Sequence, residues 1–89
     1  MDNQNILHIF VSYFEKDTIF VIKKYYAFTI GKLDNETIGI SARSLGDIDV
    51  SNIMKELGGG GHSSNAATQI KNKTLKEVKQ DLIDLLEKQ

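Results

Sequence analysis

The sequence predicts an α+β domain, a small mixed sheet containing a β-hairpin with two to three helices packed on it. Three observations carry that prediction. Apolar residues alternate with period two from Tyr26 to Ile30 and again from Ile38 to Ala42; they recur at helical spacing from Val50 and from Leu75; and the two helical patterns are parted by a run of glycines, Gly58 to Gly61.

In chain order, Ile6, Ile9, Phe10, Tyr13 and Phe14 fall at i, i+3, i+4, i+7 and i+8, which predicts an amphipathic helix continuing through Asp17 to Val21. The same stretch is rich in Ile, Phe, Val and Tyr, so two strands turning at Glu15-Lys16-Asp17 are the alternative. Tyr26 to Ile30 and Ile38 to Arg43, joined by a polar turn over Lys32 to Glu36, read as a hairpin. Its period of two puts Phe28, Ile30, Ile38, Ile40 and Ala42 against the core and leaves Gly39, Ser41 and Arg43 together on the other face.

Asp49 reads as the N-cap of a short helix with Val50, Ile53, Met54 and Leu57 on its buried stripe, and Gly58 as its stop. The small residues Ser63 to Ala67 read as a helical turn, and Thr68-Gln69-Ile70 as a short strand. Thr74-Leu75-Lys76-Glu77 has the form of a capping box opening a last helix with Leu75, Val78, Leu82, Leu85 and Leu86 buried.

Eighty-nine residues, 40% apolar and 26% charged, suffice for one soluble domain. At this size a fold buries about 60% of the surface its unfolded chain exposes, enough for a single core. We read residues 1–89 as one domain, with 1–24 an entry segment and 25–89 the part that carries the glycine loop. A net charge of −1 provides no general basic field for a long duplex, so an anion must be bound locally. With no cysteine there is no disulfide framework and no thiolate nucleophile. The apolar stretch Ile6 to Ile30 is interrupted by charges, and we expect neither a membrane span nor direct membrane contact.

The glycine run is the anomaly. Four glycines lose more backbone entropy on folding than any other four residues and bury almost no side chain in return. Their physical use is close approach of main-chain N–H groups to an anion, above all a phosphate, with the N-terminus of a following helical turn aimed at the same point. His62 closes the run as a further donor, and Ser63, Ser64 and Asn65 follow it. Arg43, the chain's one arginine, has the planar fork that matches two phosphate oxygens, and Ser41 lies on its face of the hairpin. No Gly-Lys-Ser/Thr follows the glycines, so this is not a Walker loop. The two histidines, His8 and His62, belong to no group at metal-ligand spacing, and Asp47 and Asp49 read as turn and cap residues.

Taken together, Gly39-Ile40-Ser41-Ala42-Arg43-Ser44, Gly58-Gly59-Gly60-Gly61-His62 and Asn65-Ala66-Ala67-Thr68 resemble the DHH-associated domain of DHH-family phosphoesterases. The stretch from Phe28 to Leu86 is most similar to that domain in cyclic di-AMP phosphodiesterases, and residues 1–24 match more weakly. The resemblance implies a substrate-binding role without catalytic residues. Gly58, Gly59, Gly60, Gly61 and His62 would contact phosphate, and Ser41 and Arg43 would reach the substrate from the neighbouring strand. It implies a separate DHH domain, in cis or in trans, that holds manganese and performs hydrolysis. It also implies a cyclic or linear dinucleotide as ligand and a cytoplasmic setting, including the cytosolic end of a membrane-anchored protein. RecJ-type exonucleases and nano-RNases share the domain, so binding of short single-stranded nucleic acid is the alternative.

Overall fold

A computed structural model describes residues 11–15, 17–45 and 48–88. Six strands form one sheet: β1 (Val11–Glu15), β2 (Thr18–Lys23), β3 (Tyr26–Lys32), β4 (Thr37–Ser44), β5 (Gly60–His62) and β6 (Asn65–Lys71), in the order β1-β2-β3-β4-β6-β5. Helix α1 (Ser51–Glu56) lies between β4 and β5, and α2 (Leu75–Glu87) closes the chain. The α+β class is as expected. The sheet is not mixed, because all of its pairings are antiparallel. A parallel neighbour needs a crossover that returns the chain in the same direction. Here α1 hands the chain to β5, and a tight turn at Ser63-Ser64 folds it back as β6 against β4.

The helix expected through Val21 is not formed over the described residues: β1 and β2 are strands, paired Val11↔Ile22 to Glu15↔Thr18. The part of that expectation on residues 6–10 lies outside the described residues. In β2 burial alternates, with Ile19 and Val21 in the core and Ile22 exposed, so the operative period is two. β-Branched and aromatic side chains fit that pleat better than a helix, and β3 supplies the pairing partner that local spacing could not reveal.

The β3–β4 hairpin has Ile30 opposite Ile40, and Phe28, Ile30, Ile38, Ile40 and Ala42 are all buried as expected. Val50, Ile53 and Met54 from α1 and Val78, Leu82 and Leu86 from α2 complete one core cluster on that face. Fully burying side chains of this kind contributes about 1.5–3 kcal/mol each.

Two local expectations are corrected. The capping position of α1 is Val50, with no side-chain cap bond; Asp49 stands one residue earlier, where Oδ1 accepts from the Ser51 N–H at 2.8 Å and from the Ser51 hydroxyl at 2.6 Å. A carboxylate bonding two residues ahead makes an Asx turn, which competes with a formal cap. The helical turn expected over 63–67 is instead the turn between β5 and β6 and the start of β6. Asn65 to Lys71 can pair with the whole length of β4, and that ladder outweighs a single helical turn. The capping box of α2 is present, with Thr74 N–H to Glu77 Oε1 at 2.8 Å and Glu77 N–H to Thr74 Oγ1 at 3.1 Å. No helix among the described residues is long and apolar enough to cross a membrane.

Candidate functional site

Both helices contribute to the core on one face of the sheet, so the opposite face of β2, β3, β4 and β6 carries no layer among the described elements. Cross-strand register sorts the residues of that open face into rows. One row reads Ile22, Ala27, Arg43, Asn65, His62, and all five are exposed. The structure thus brings three of the expected binding residues, Arg43, Asn65 and His62, onto adjacent strands. Arg43 and His62 stand two strand spacings apart, roughly 9.5–10 Å between backbones, with the Asn65 amide between them. The Arg43 guanidinium makes no ion pair among the described residues. The next row, roughly 6.6 Å along the strands, is Phe20, Thr29, Ser41, Ala67 and Gly60.

The glycines divide between two tasks. Gly58, at φ +93°, donates its N–H to the Lys55 carbonyl at 3.0 Å, and the Gly59 N–H donates to that of Met54 at 2.7 Å. Both donors terminate α1, because a helix end leaves carbonyls that the next N–H groups must satisfy. At Gly59 a Cβ would lie 2.1 Å from the Ala67 carbonyl oxygen. At Gly61, φ +142°, it would lie 2.6 Å from the Ala66 Cα. These two must be glycine for β5 to pass against β6. Gly60 alone has ordinary φ and nothing within 4 Å of its missing Cβ.

The turn is held in place from behind. The Ser63 carbonyl accepts from the Val50 N–H at 2.8 Å, and the Ser64 carbonyl accepts from the Ser44 N–H at 3.2 Å; the Ser44 hydroxyl donates to the Ile48 carbonyl at 2.5 Å and lies 3.2 Å from that of Ser63. The Ser63-Ser64 turn that follows His62 is thereby tied to Ser44 at the end of β4 and to Val50 at the cap of α1. The Asp49 carboxyl, bonded by the Ser51 hydroxyl and then by its N–H, is held below the usual carboxylate range.

Beyond the second row the open face forms a trough of about 490 Å³ whose lining includes Thr29, Gly31, Leu33, Gly39, Ser41 and Gln69. Of these the sequence singled out only Ser41 as a site residue, with Gly39 placed beside it on the same face. The signal was present: Gly31 and Gly39 fall at period-two positions on the face away from the core. Neither the trough lining nor the Arg43 row contains a carboxylate; Arg43 is the cation of that row, and Lys32, opposite Ile38 at the trough's edge, has the parity of the core face. Such a surface favours an anion over a cation. No group of three or more His, Asp or Glu residues that could hold a metal occurs among the described residues.

Against known proteins, the family model of the DHHA1 domain matches residues 3–89. The cyclic-di-AMP phosphodiesterase PdeA of Listeria monocytogenes serotype 1/2a (strain 10403S) is 52% identical over 61 residues, 68% of this chain and 9% of that protein. The cyclic-di-AMP phosphodiesterase GdpP of Geobacillus thermodenitrificans (strain NG80-2) is 49% identical over 67 residues, 74% of this chain and 10% of that protein. A membrane protein-large ribosomal subunit bL9 fusion protein of Aster yellows witches'-broom phytoplasma (strain AYWB) is 46% identical over 52 residues, 58% of this chain and 6% of that protein. The chain spans about a tenth or less of the length of these relatives.

Proposed function

The chain belongs to the DHHA1 domain family, and from that premise we propose that it is the substrate-binding module of a DHH-family phosphodiesterase. It holds the phosphate of a cyclic or linear dinucleotide such as cyclic di-AMP on the Arg43, Asn65 and His62 row. A DHH domain with bound manganese, in cis or in trans and outside this chain, performs the hydrolysis. The relatives named as cyclic-di-AMP phosphodiesterases support the ligand class. We place the module in the cytoplasm or at the cytosolic end of a membrane-anchored protein.

The observation that carries this reading is the register of β4, β6 and β5, which aligns a guanidinium, an amide and an imidazole on a face with no other layer among the described elements. The guanidinium supplies a charge-assisted, two-toothed contact to phosphate oxygens; Asn65 and His62 add further donors. Gly60 lets the ligand approach the backbone in the adjoining row. A single-strand track would need a longer basic groove with several aromatic platforms, and among the described residues the Arg43 and Ser41 rows offer one arginine and one aromatic ring, that of Phe20.

The test is an NMR titration of the chain at low salt with cyclic di-AMP, a linear dinucleotide and oligo-dT. Amide shifts at Arg43, Gly60, His62 and Asn65 with the dinucleotides are expected. Shifts that miss this row for every ligand overturn the assignment, and shifts produced by oligo-dT alone favour the exonuclease type of module.

A further inference from the structure

We propose that the trough floored by Gly31 and Gly39 and walled by Leu33 seats a flat heterocycle, a nucleobase of the ligand whose phosphate lies on the Arg43 row. This rests on, and extends, the phosphate reading of that row.

Gly31 is a strand glycine that its neighbours in the fold do not require. Gly31 and Gly39 are direct partners across β3 and β4, where glycine weakens a strand interior and usually marks close approach of a ligand or another backbone. Neither has the positive φ that would demand glycine. A Cβ on Gly31 would meet nothing nearer than Thr18 Oγ1 at 3.7 Å and the Asp17 carbonyl at 3.8 Å, which is ordinary contact. A Cβ on Gly39 would meet only the side chain of Leu33, with Cδ1 at 3.1 Å. At Gly39 the place of the missing side chain is thus filled by Leu33, whereas Gly31 and Gly60 are strand glycines whose missing side chains leave space on the open face for something outside the chain.

Shape and chemistry narrow that something. Thr29, Ser41 and Ala67 continue the floor, so on β3 and β4 no side chain larger than threonine rises from these two rows, and Gln69 on β6 stands at the end of the Gly31–Gly39 row. A flat, low surface suits a planar ring laid face down. Leu33 is a large apolar side chain, 58% exposed, that lies over Gly39 at the end of the floor. It forms an apolar wall against which a ring can be desolvated. The Thr29 and Ser41 hydroxyls and the Gln69 amide stand around the floor with the mixed donors and acceptors that the edge of a base needs. The step from the Arg43 row to the Ser41 row is roughly 6.6 Å and to the Gly39 row roughly 13 Å, so the trough lies within a nucleotide's reach of the anion row.

The experiment titrates the 89-residue chain with adenosine 5′-monophosphate, adenosine, ribose 5-phosphate and inorganic pyrophosphate, following backbone amides by NMR. The same titrations are run on Gly31→Val, which fills the floor, and on Leu33→Ala, which removes the wall; each variant's melting curve is recorded first. The expected result is that the monophosphate and adenosine shift Gly31, Leu33 and Gly39, whereas ribose 5-phosphate and pyrophosphate shift only the Arg43 row. Gly31→Val then weakens the monophosphate and adenosine about tenfold, the loss expected when a ring is lifted off its apolar floor, and leaves pyrophosphate unchanged. Leu33→Ala weakens the same two ligands and keeps the test decisive if Gly31→Val does not fold. If the monophosphate shifts only the Arg43 row, or both variants bind it as the parent does, the trough proposal is overturned and the phosphate reading survives. If adenosine shifts the trough while the phosphates leave Arg43 and His62 unmoved, the phosphate reading falls and the base seat stands. No response to any of the four at millimolar concentration overturns both.

Discussion

At the scale of the residue, the glycine run separates into positions that serve the fold and one that is free to serve a ligand. Gly59→Ala and Gly61→Ala place a Cβ inside the backbone of β6, and each should destabilise the chain by more than the ~1 kcal/mol typical of a point substitution, seen as a lowered melting temperature. Gly60→Ala adds a methyl in open space at ordinary φ. It should leave stability unchanged or raise it by about 0.4–1 kcal/mol through the unfolded chain, while dinucleotide affinity falls. A Gly60→Ala chain that melts early would show that the residue serves the fold after all. On the same row, Arg43→Ala should cost about 1.5–3 kcal/mol of phosphate binding and His62→Ala about 0.5–1.5 kcal/mol, with melting unaffected because both are exposed. Isothermal titration with cyclic di-AMP measures the two losses.

At the scale of the element, the ends of the helices carry the local chemistry. Lys23 continues the buried parity of Ile19 and Val21 in β2, and its Nζ donates to the Leu86 carbonyl at 2.9 Å, in a helix whose last turn has no basic residue of its own. The charge meets the negative end of the α2 dipole. Lys23→Met should cost about 1.5–3 kcal/mol and speed amide exchange in the last turn of α2 more than in its first. At the start of α1, the Asp49 carboxylate that accepts both Ser51 bonds is favoured in the folded chain, so its pKa is depressed. A depressed carboxylate contributes stability above its unfolded pKa and loses it as pH falls through the folded one. The Ser51 amide shift should therefore titrate with a midpoint below 3.8, and Asp49→Asn should abolish that transition. A midpoint at or above 3.8 would contradict the two hydrogen bonds.

At the scale of the whole molecule, the helices are committed to one face of the sheet and the rows proposed to bind the ligand occupy the other. A ligand on a bare sheet face is half enclosed, so affinity in the isolated chain should be modest and should rise when a DHH domain covers the face. The purified chain with manganese should not turn over cyclic di-AMP, because its described residues bring no group of His, Asp or Glu together to hold a metal pair. Sustained hydrolysis by the purified chain, scaling with its concentration, would overturn the division of labour.

The sequence by itself determined the parts of this protein that depend on neighbours within a few residues. The β3–β4 hairpin and its buried face, the stripe of α1, and the Thr74–Glu77 capping box are all legible because their period and chemistry are local. It also singled out Arg43 and the glycine loop. What it could not determine depended on pairing between distant segments. Residues 11–23 match a helical period as well as a strand, and only β3 lying alongside decides between them. The run at 58–61 is uniform in sequence, yet Gly59 and Gly61 are constrained by β6, Gly58 by the end of α1, and Gly60 by neither. The Arg43–Asn65–His62 row and the Gly31–Gly39 floor exist only through the register of β3, β4, β6 and β5. Tertiary structure decided these because a sheet is closed by non-local hydrogen bonds, and which side chains become neighbours across it is fixed by register and not by separation along the chain.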